Sequence, residues 1–432
     1  MADEIPTIQI LDKKNYFEQT LVALPDALPY PPLAPSSLRL RTAVLSLTVN
    51  NFTYAALGTL LRWWDVHPLP AGTPAPYDDP ARYGRVSAWG YAEVLASTVP
   101  SVAPGTYVWG YVPLGTLAQD LEVRAAHPAA GQLLVTSAHR AHVMPIYNRY
   151  FVYPPASDRA AAIARRAPAV AHDALLRVMH ATAFLMERFV FSADPARVVA
   201  PGPGPDDDSE SWRSADADLR GATVLIFAPG SKAAALFAAL LRRRSASASG
   251  ARPRHVVGVS SEASRAFVEG TGFYDAVLPA DHDDPVAAVR GSGDDDEVGG
   301  GRLVVVDFGG RAGVGPRWAA ALAPRHPDLL FVGVGTGILH PSAVAQVAAA
   351  MQQPRPYRAA RVNADDMRRR AIARVGEEQY WAEEDGSWEQ FRHDGIRGLG
   401  INWGEGMADV AKGWDRLAQG KVLPSEGLVY KL

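Results

Sequence analysis

At roughly 150 residues per domain, the 432 residues are a prior for two or three domains, each able to bury a real core. Hydrophobic residues make up 48%, charged 21% and aromatic 9%, as in a folded globular protein, and 43 Lys plus Arg against 46 Asp plus Glu offers no field for nucleic acid or anionic membranes. The absence of cysteine excludes disulfides, thiolate nucleophiles, iron–sulfur clusters and cysteine-ligated zinc, and the eleven histidines form no HExxH or HxH pair, so no metal is expected.

The opening Met1-Ala-Asp-Glu-Ile-Pro lacks a basic segment followed by an apolar run, and no stretch of about 18 apolar residues occurs, so a soluble cytoplasmic protein is expected. From Leu38 to about Val152, β-branched and aromatic runs broken by Gly and Pro (LRLRTAVLSLTV, GRVSAWGYAEVLAS, PGTYVWGYVP, LAQDLEVR) predict a mostly β unit. Helical patterns follow over Asp158–Ala171 and from Asp173. Pro201–Asp218, rich in Pro, Gly and acid, predicts a boundary or exposed loop.

Beyond it the period alternates. Strands are predicted at Ala222–Phe227, His255–Val259, Ala276–Leu278, Leu303–Asp307 and Leu329–Val334, with helices at Lys232–Arg244, Ser261–Thr271 and Pro316–Ala323. Near-continuous apolar strands alternating with helices require a parallel sheet covered on both faces. The acidic, glycine-rich tract GSGDDDEVGGG and Asp206-Asp-Asp are expected as solvated loops. The tail from Pro341 returns to helices, with a tryptophan-rich stretch over Asn363–His393, and ends in a helix, a turn and a last strand.

At the first βα junction, Phe227-Ala-Pro-Gly230-Ser231-Lys232-Ala233, a glycine turn before a helix points backbone N–H groups and the helix dipole at an anion such as a pyrophosphate. Ser231 and Lys232 add a hydroxyl and an ammonium; the plainer alternative is an ordinary polar helix start. At the end of the second strand, Ser260, Ser261 and Arg265 suit a ribose 2′-phosphate, favouring NADP over NAD, though Ser-Ser is also a common helix cap. Asp307, Gly309, Gly333 and Gly335, at the carboxyl ends of adjacent strands, open the crevice where a nicotinamide ring would lie, and Asp307 is equally suited to forming a turn. In the β portion, Thr48, Asn50, Asn51, Thr53 and Tyr54 offer groups for proton donation; Tyr54 is the leading choice, against the alternative that it packs in a core with its hydroxyl satisfied locally. GxSxG and GxxxxGK[ST] are absent.

These pieces in this order resemble the medium-chain dehydrogenase/reductase superfamily on its zinc-free quinone-reductase and enoyl-reductase side, nearest to a branch known only as a domain of unknown function. The resemblance rests on Leu47–Tyr54 with its asparagines, Pro104–Gly110, Val178–Phe184 with Thr182 beside the nicotinamide, Ala228–Ala233, Val257–Ser261, Phe267–Val277 and Gly420-Lys421-Val422, similar to a terminal GKvvl strand. It implies an α/β fold: a GroES-like β domain over residues 1–175, a Rossmann doubly wound parallel sheet over 176–340, and a segment 341–432 returning to the β domain. It also implies NADP(H) as cofactor, hydride transfer to an activated C=C or C=O of a small or polyketide-like molecule, and a homodimer as the candidate assembly. The phosphate loop departs from GxGxxG in keeping only Gly230, so a non-redox protein on the same fold, a cyclase, an isomerase or a non-catalytic partner, stands as the alternative.

Overall fold

The computed structural model describes residues 5–202, 212–244, 252–290, 301–310, 313–335, 337–338, 341–343 and 354–432. The acidic tracts at 206–208 and 294–296 lie outside them. The chain divides into two units: Met1–Leu175 with Ile338–Ala348 and Gly400–Leu432, and Leu176–Gly337 with Ala349–Leu399.

In the first unit a hairpin of β1 (Thr7–Asp12) and β2 (Asn15–Ala23) turns where Lys14 N donates to Asp12 Oδ1. β3 (Ser37–Leu47) leads into α1 (Val49–Ala56), so the expected strand-rich stretch turns helical at Val49. The cause is local: Thr48 and Asn51 form a reciprocal cap, Asn51 Oδ1 accepting from Thr48 N at 2.8 Å. Then come β4 (Tyr83–Gly84), β5 (Ser87–Ser97), β6 (Tyr107–Pro113), β7 (Gln119–Ala125), β8 (Gln132–Val135) and β9 (Arg149–Tyr153). β3, β5, β6, β9, β8 and β7 pair antiparallel in that order, and β7 pairs again with β3, closing a barrel. Leu38, Leu40, Val94, Val108, Val112, Leu121, Val123 and Leu133 belong to its core. Gly90 is obligatory, because a Cβ there would lie 2.0 Å from the Val44 carbonyl oxygen across the bulge in β3.

The predicted helix from Asp158 is two: α2 (Asp158–Ala164) stops before Arg166, held at φ 54°, and α3 (Pro168–Leu185) carries the chain into the second unit, ending in a π turn over Met186–Val190. After the short α4 (Ser214–Ala217) the expected alternation follows. It runs β10 (Thr223–Phe227), α5 (Lys232–Arg243), β11 (His255–Ser260), α6 (Glu262–Thr271), β12 (Ala276–Pro279), α7 (Pro285–Arg290), β13 (Leu303–Asp307), α8 (Val314–Leu322), β14 (Leu330–Gly333) and β15 (Arg358–Arg361). The sheet is wholly parallel in the order β12-β11-β10-β13-β14-β15. β15, with its exposed arginines and no apolar run, is a sixth strand that hydrophobic patterning misses. On one face Leu225, Phe227, Val257, Val305 and Phe331 pack against the buried Trp318 of α8. α9 (Ala364–Val375) and α10 (Glu377–Arg392) belong to this unit, not to the β unit, because Tyr380, Trp388 and Phe391 bury against His180 and Phe184 of α3.

The chain then returns to the first unit. β16 (Gly400–Glu405), α11 (Gly406–Ala418) and β17 (Glu426–Lys431) follow, with β17 pairing antiparallel to β3 and parallel to β16. Trp414 stacks on Phe52 with ring centroids 4.4 Å apart. Gly420-Lys421-Val422 is not the terminal strand: it forms the turn after α11, and the strand begins four residues later at Glu426. The tryptophans of the tail are thus divided, Trp381 and Trp388 in one core and Trp414 in the other.

Candidate cofactor site

In the second unit, strand order reverses at β10, whose neighbours are β11 and β13. Chains leaving opposite ways from two adjacent carboxyl ends open a crevice there. After β10 the backbone turns tightly: Ala228 takes φ 54°, a left-handed conformation that costs a non-glycine residue roughly 1 kcal/mol, and Ser231 N donates to Ala228 O at 2.9 Å. The turn geometry therefore survives the loss of glycines. Ser231 is the N-cap of α5, its Oγ accepting from Ala234 N at 3.3 Å, which leaves its O–H to donate outward. Tyr274 hydroxyl donates to Pro229 O at 2.8 Å, and Gly258 lets Pro229 lie close, a Cβ there meeting Pro229 Cβ at 3.2 Å. Gly230 is buried in this turn, and Lys232 opens the helix.

At the end of β11, Ser260 is buried with its Oγ donating to Ser261 O at 3.1 Å. Ser261 starts α6 without a side-chain cap bond, its Oγ 3.2 Å from Ser264 Oγ, so the hydroxyls cluster at the strand end with no carboxylate at 260 or 261. Arg265 Nε donates to Glu269 Oε1 at 2.8 Å along the exposed side of α6; such a pair is weak enough to exchange for a better anion.

At β13, Asp307 is the turn former. Its Oδ1 accepts from Gly309 N at 2.9 Å and Gly310 N at 2.7 Å, and desolvation raises its pKa against the lowering effect of those bonds. Val334 N donates to Asp307 O, so the loops after β13 and β14 run together. Side chains would fit poorly there: a Cβ on Gly335 would lie 3.3 Å from Phe308 O, a tight approach, and Gly309 takes φ 104°, which side chains rarely adopt. Gly333 ends β14 beside them. Thr182 is half-buried on α3. The groups along this edge, a helix N-terminus, Ser231, Lys232 and the Ser261–Ser264 hydroxyl pair, of which one O–H stays free to donate, fit the pyrophosphate and a ribose phosphate of a dinucleotide.

The other predicted residues belong to the first unit. Asn51 is spent structurally, its Oδ1 on the α1 cap and its Nδ2 donating to Ser87 O at 2.9 Å. Thr53 is half-buried, and Asn50 N donates to the Thr48 hydroxyl. Tyr54 is 5% exposed inside an aromatic nest, ringed by Trp63, Tyr111 and Tyr147, and its hydroxyl accepts from Trp89 Nε1 at 3.0 Å. Burial pushes its pKa up to about 12. Patterning missed what lies behind it: Arg85, Arg140 and His67, all buried. The signal was an arginine inside the apolar run Tyr83–Trp89. Among the described residues no cluster of three or more His, Asp or Glu side chains is arranged for a metal, and no helix is long and apolar enough to cross a membrane.

A closed antiparallel barrel and a six-stranded parallel sheet of this order define the medium-chain dehydrogenase/reductase fold, GroES-like unit plus Rossmann unit. The chain belongs to the DUF2855 family, described as a protein of unknown function, whose model matches residues 45–423. It is similar over 99% of its length to the CurK enoyl reductase (99% of that chain, 13% identity, TM-score 0.51). It is similar in the same way to the CurF ER cyclopropanase of the curacin A biosynthetic pathway (99% of that chain, 12% identity, TM-score 0.51). A mycobacterial protein solved in complex with NADPH matches over 99% of this chain and 100% of its own, at 14% identity and TM-score 0.53. At these identities the likeness shows the fold. No curated protein matches the chain.

Proposed function

We propose that this protein is an NADP(H)-dependent, zinc-independent reductase of an activated C=C or C=O in a small or polyketide-like molecule. The observation that carries the reading is the carboxyl edge of the parallel sheet, where the capped start of α5 stands beside a strand end bearing serine hydroxyls in place of a carboxylate. An acidic residue there would accept from both ribose hydroxyls; hydroxyls with a nearby guanidinium favour a 2′-phosphate. Lys232 and Ser231 hold the pyrophosphate, Ser260, Ser261 and Arg265 the 2′-phosphate, and Gly309, Gly333 and Gly335 keep the crevice free of side chains, with Thr182 on α3 completing the nicotinamide side. NADP(H), when bound, supplies the hydride. The NADPH complex of one structural neighbour and the enoyl reductase among the others support the reading.

On the substrate side, Asn51 being committed to the cap, Tyr54 and Thr53 remain as the candidate groups. A phenol held protonated to about pH 12 is a proton source at neutral pH and not a base. A fluorescence titration with NADPH and NADH tests the reading: NADPH binds more tightly, and both K232A and R265A weaken it at least tenfold. No binding of either nucleotide at millimolar concentration overturns it and favours a non-redox role, in keeping with the single loop glycine.

A further inference from the structure

Several buried or half-buried arginines among the described residues are matched to carboxylates: Arg39 to Asp120, Arg159 to Asp173, Arg177 to Asp385 and Arg244 to Glu187. Two buried arginines of the first unit are held by uncharged groups instead. Arg85 and Arg140 are 1% and 0% exposed. With its amide turned to satisfy both neighbours, Gln119 accepts from Arg85 Nη1 at 2.7 Å and donates to His67 Nδ1. Arg140 donates to Val66 O and to the Tyr150 hydroxyl, each at 3.1 Å, and its Nη2 lies 3.1 Å from His67 Nε2. Burial and the two guanidiniums keep His67 neutral. Every partner is an uncharged group, so two like charges are held out of water with no anion between them, an arrangement that ordinarily disfavours the folded state strongly.

The same nest contains unanswered donors. Arg85 Nε and Trp63 Nε1 are buried without a hydrogen-bond partner, and the Tyr111 and Ser87 hydroxyls have only each other, which leaves one of their two O–H groups unspent. Trp63 and Tyr111 flank the Tyr54 ring at 4.9 and 5.2 Å, and Ser87 shares a face of β5 with Trp89, whose ring is 5.3 Å from Tyr111, with the buried Arg85 two residues before Ser87. Arg85 Nε and Trp63 Nε1 can only donate, and one of the two hydroxyls can do so. Positive charge, surplus donors and aromatic walls together match one ligand chemistry.

We propose that this nest binds a carboxylate, held by Arg85 with Trp63 and one hydroxyl of the Tyr111–Ser87 pair completing its donor shell and Arg140 supplying the second positive charge. Resting on the reductase reading, the carboxylate belongs to the substrate, which is then an unsaturated or carbonyl-bearing acid placed beside Tyr54. Small anions reach such interior sites by local opening.

The test needs neither cofactor nor turnover, so its failure is distinct from failure of the reductase reading. Thermal unfolding is followed at constant ionic strength in sodium gluconate, chloride, formate and crotonate. The expected result is a saturable rise of several degrees in formate and crotonate over chloride, which carries no carboxylate. R85M abolishes that rise, while R41Q, which alters an exposed pair with Glu93, keeps it. A half-saturating concentration at least tenfold lower for crotonate than for formate assigns the carboxylate to an organic acid; equal potency overturns the substrate assignment. Indifference of the wild type to the anion, or a rise that persists in R85M, overturns the site. If R85M does not fold, titration of the wild type with crotonate decides: a saturable change in tryptophan emission supports the site and its absence refutes it.

Discussion

Replacing Gly315 with alanine separates two opposed effects. Gly315 lies in the first turn of α8, and a Cβ there would stand 2.4 Å from Asp307 Oδ2 and 2.9 Å from its Cγ. In an open helix the change gains roughly 0.5–1 kcal/mol. Here the carboxylate must swing away and release Gly309 N and Gly310 N, two bonds to a charged group at roughly 1.5 kcal/mol each. The net is a loss of about 2 kcal/mol, or roughly 4–8 °C in Tm for a unit of this size. Because those bonds shape the loop after β13, NADPH affinity falls with it. Differential scanning calorimetry with urea unfolding reads the first effect and nucleotide titration the second. G270A is the internal control, since that helical glycine has nothing within 4 Å of its would-be Cβ and its replacement should stabilise. A G315A protein as stable as G270A would refute the idea that Asp307 is pinned.

His180, fully buried against Trp388, has its pKa lowered by burial to about 3. Its unfolded form takes up a proton near pH 6.5 and the folded form does not, so stability is full above 6.5 and falls as pH drops toward 3, by roughly 1.4 kcal/mol per unit; urea midpoints of H180Q should be flatter across that window. Asp307 has the opposite sign: its raised pKa means that stability present below about 3.8 is lost as pH rises through the folded-state value, so D307N should gain on the wild type over that rise when the two are unfolded in parallel. Y54F removes the acceptor of Trp89 Nε1 and should cost about 1–3 kcal/mol in chemical denaturation; unchanged stability would mean that the indole finds another partner.

The parallel sheet was legible because each of its first five strands is an apolar run, three of them followed by a helix start, a pattern that survives without any knowledge of neighbours. The turn after β10 was legible from Gly230-Ser231-Lys232, although the left-handed Ala228 that actually makes the turn was not, since alanine carries no signal for that conformation. β15 stayed hidden because an edge strand buries few side chains, and α1 because its reciprocal cap interrupts what reads as a strand. The choice at Asp307 between crevice and turn depended on two glycine N–H groups whose positions no spacing encodes. Strand and helix propensity, hydrophobic period and the chemistry of the first βα turn are local properties, and these the amino-acid sequence determined by itself. Which of α1's polar groups were free, where the tail helices packed, and that Arg85 and Arg140 would gather around Gln119 and His67 are matters of residues far apart in the chain. Only tertiary packing decided them, because burial and charge pairing exist only once distant segments share a core.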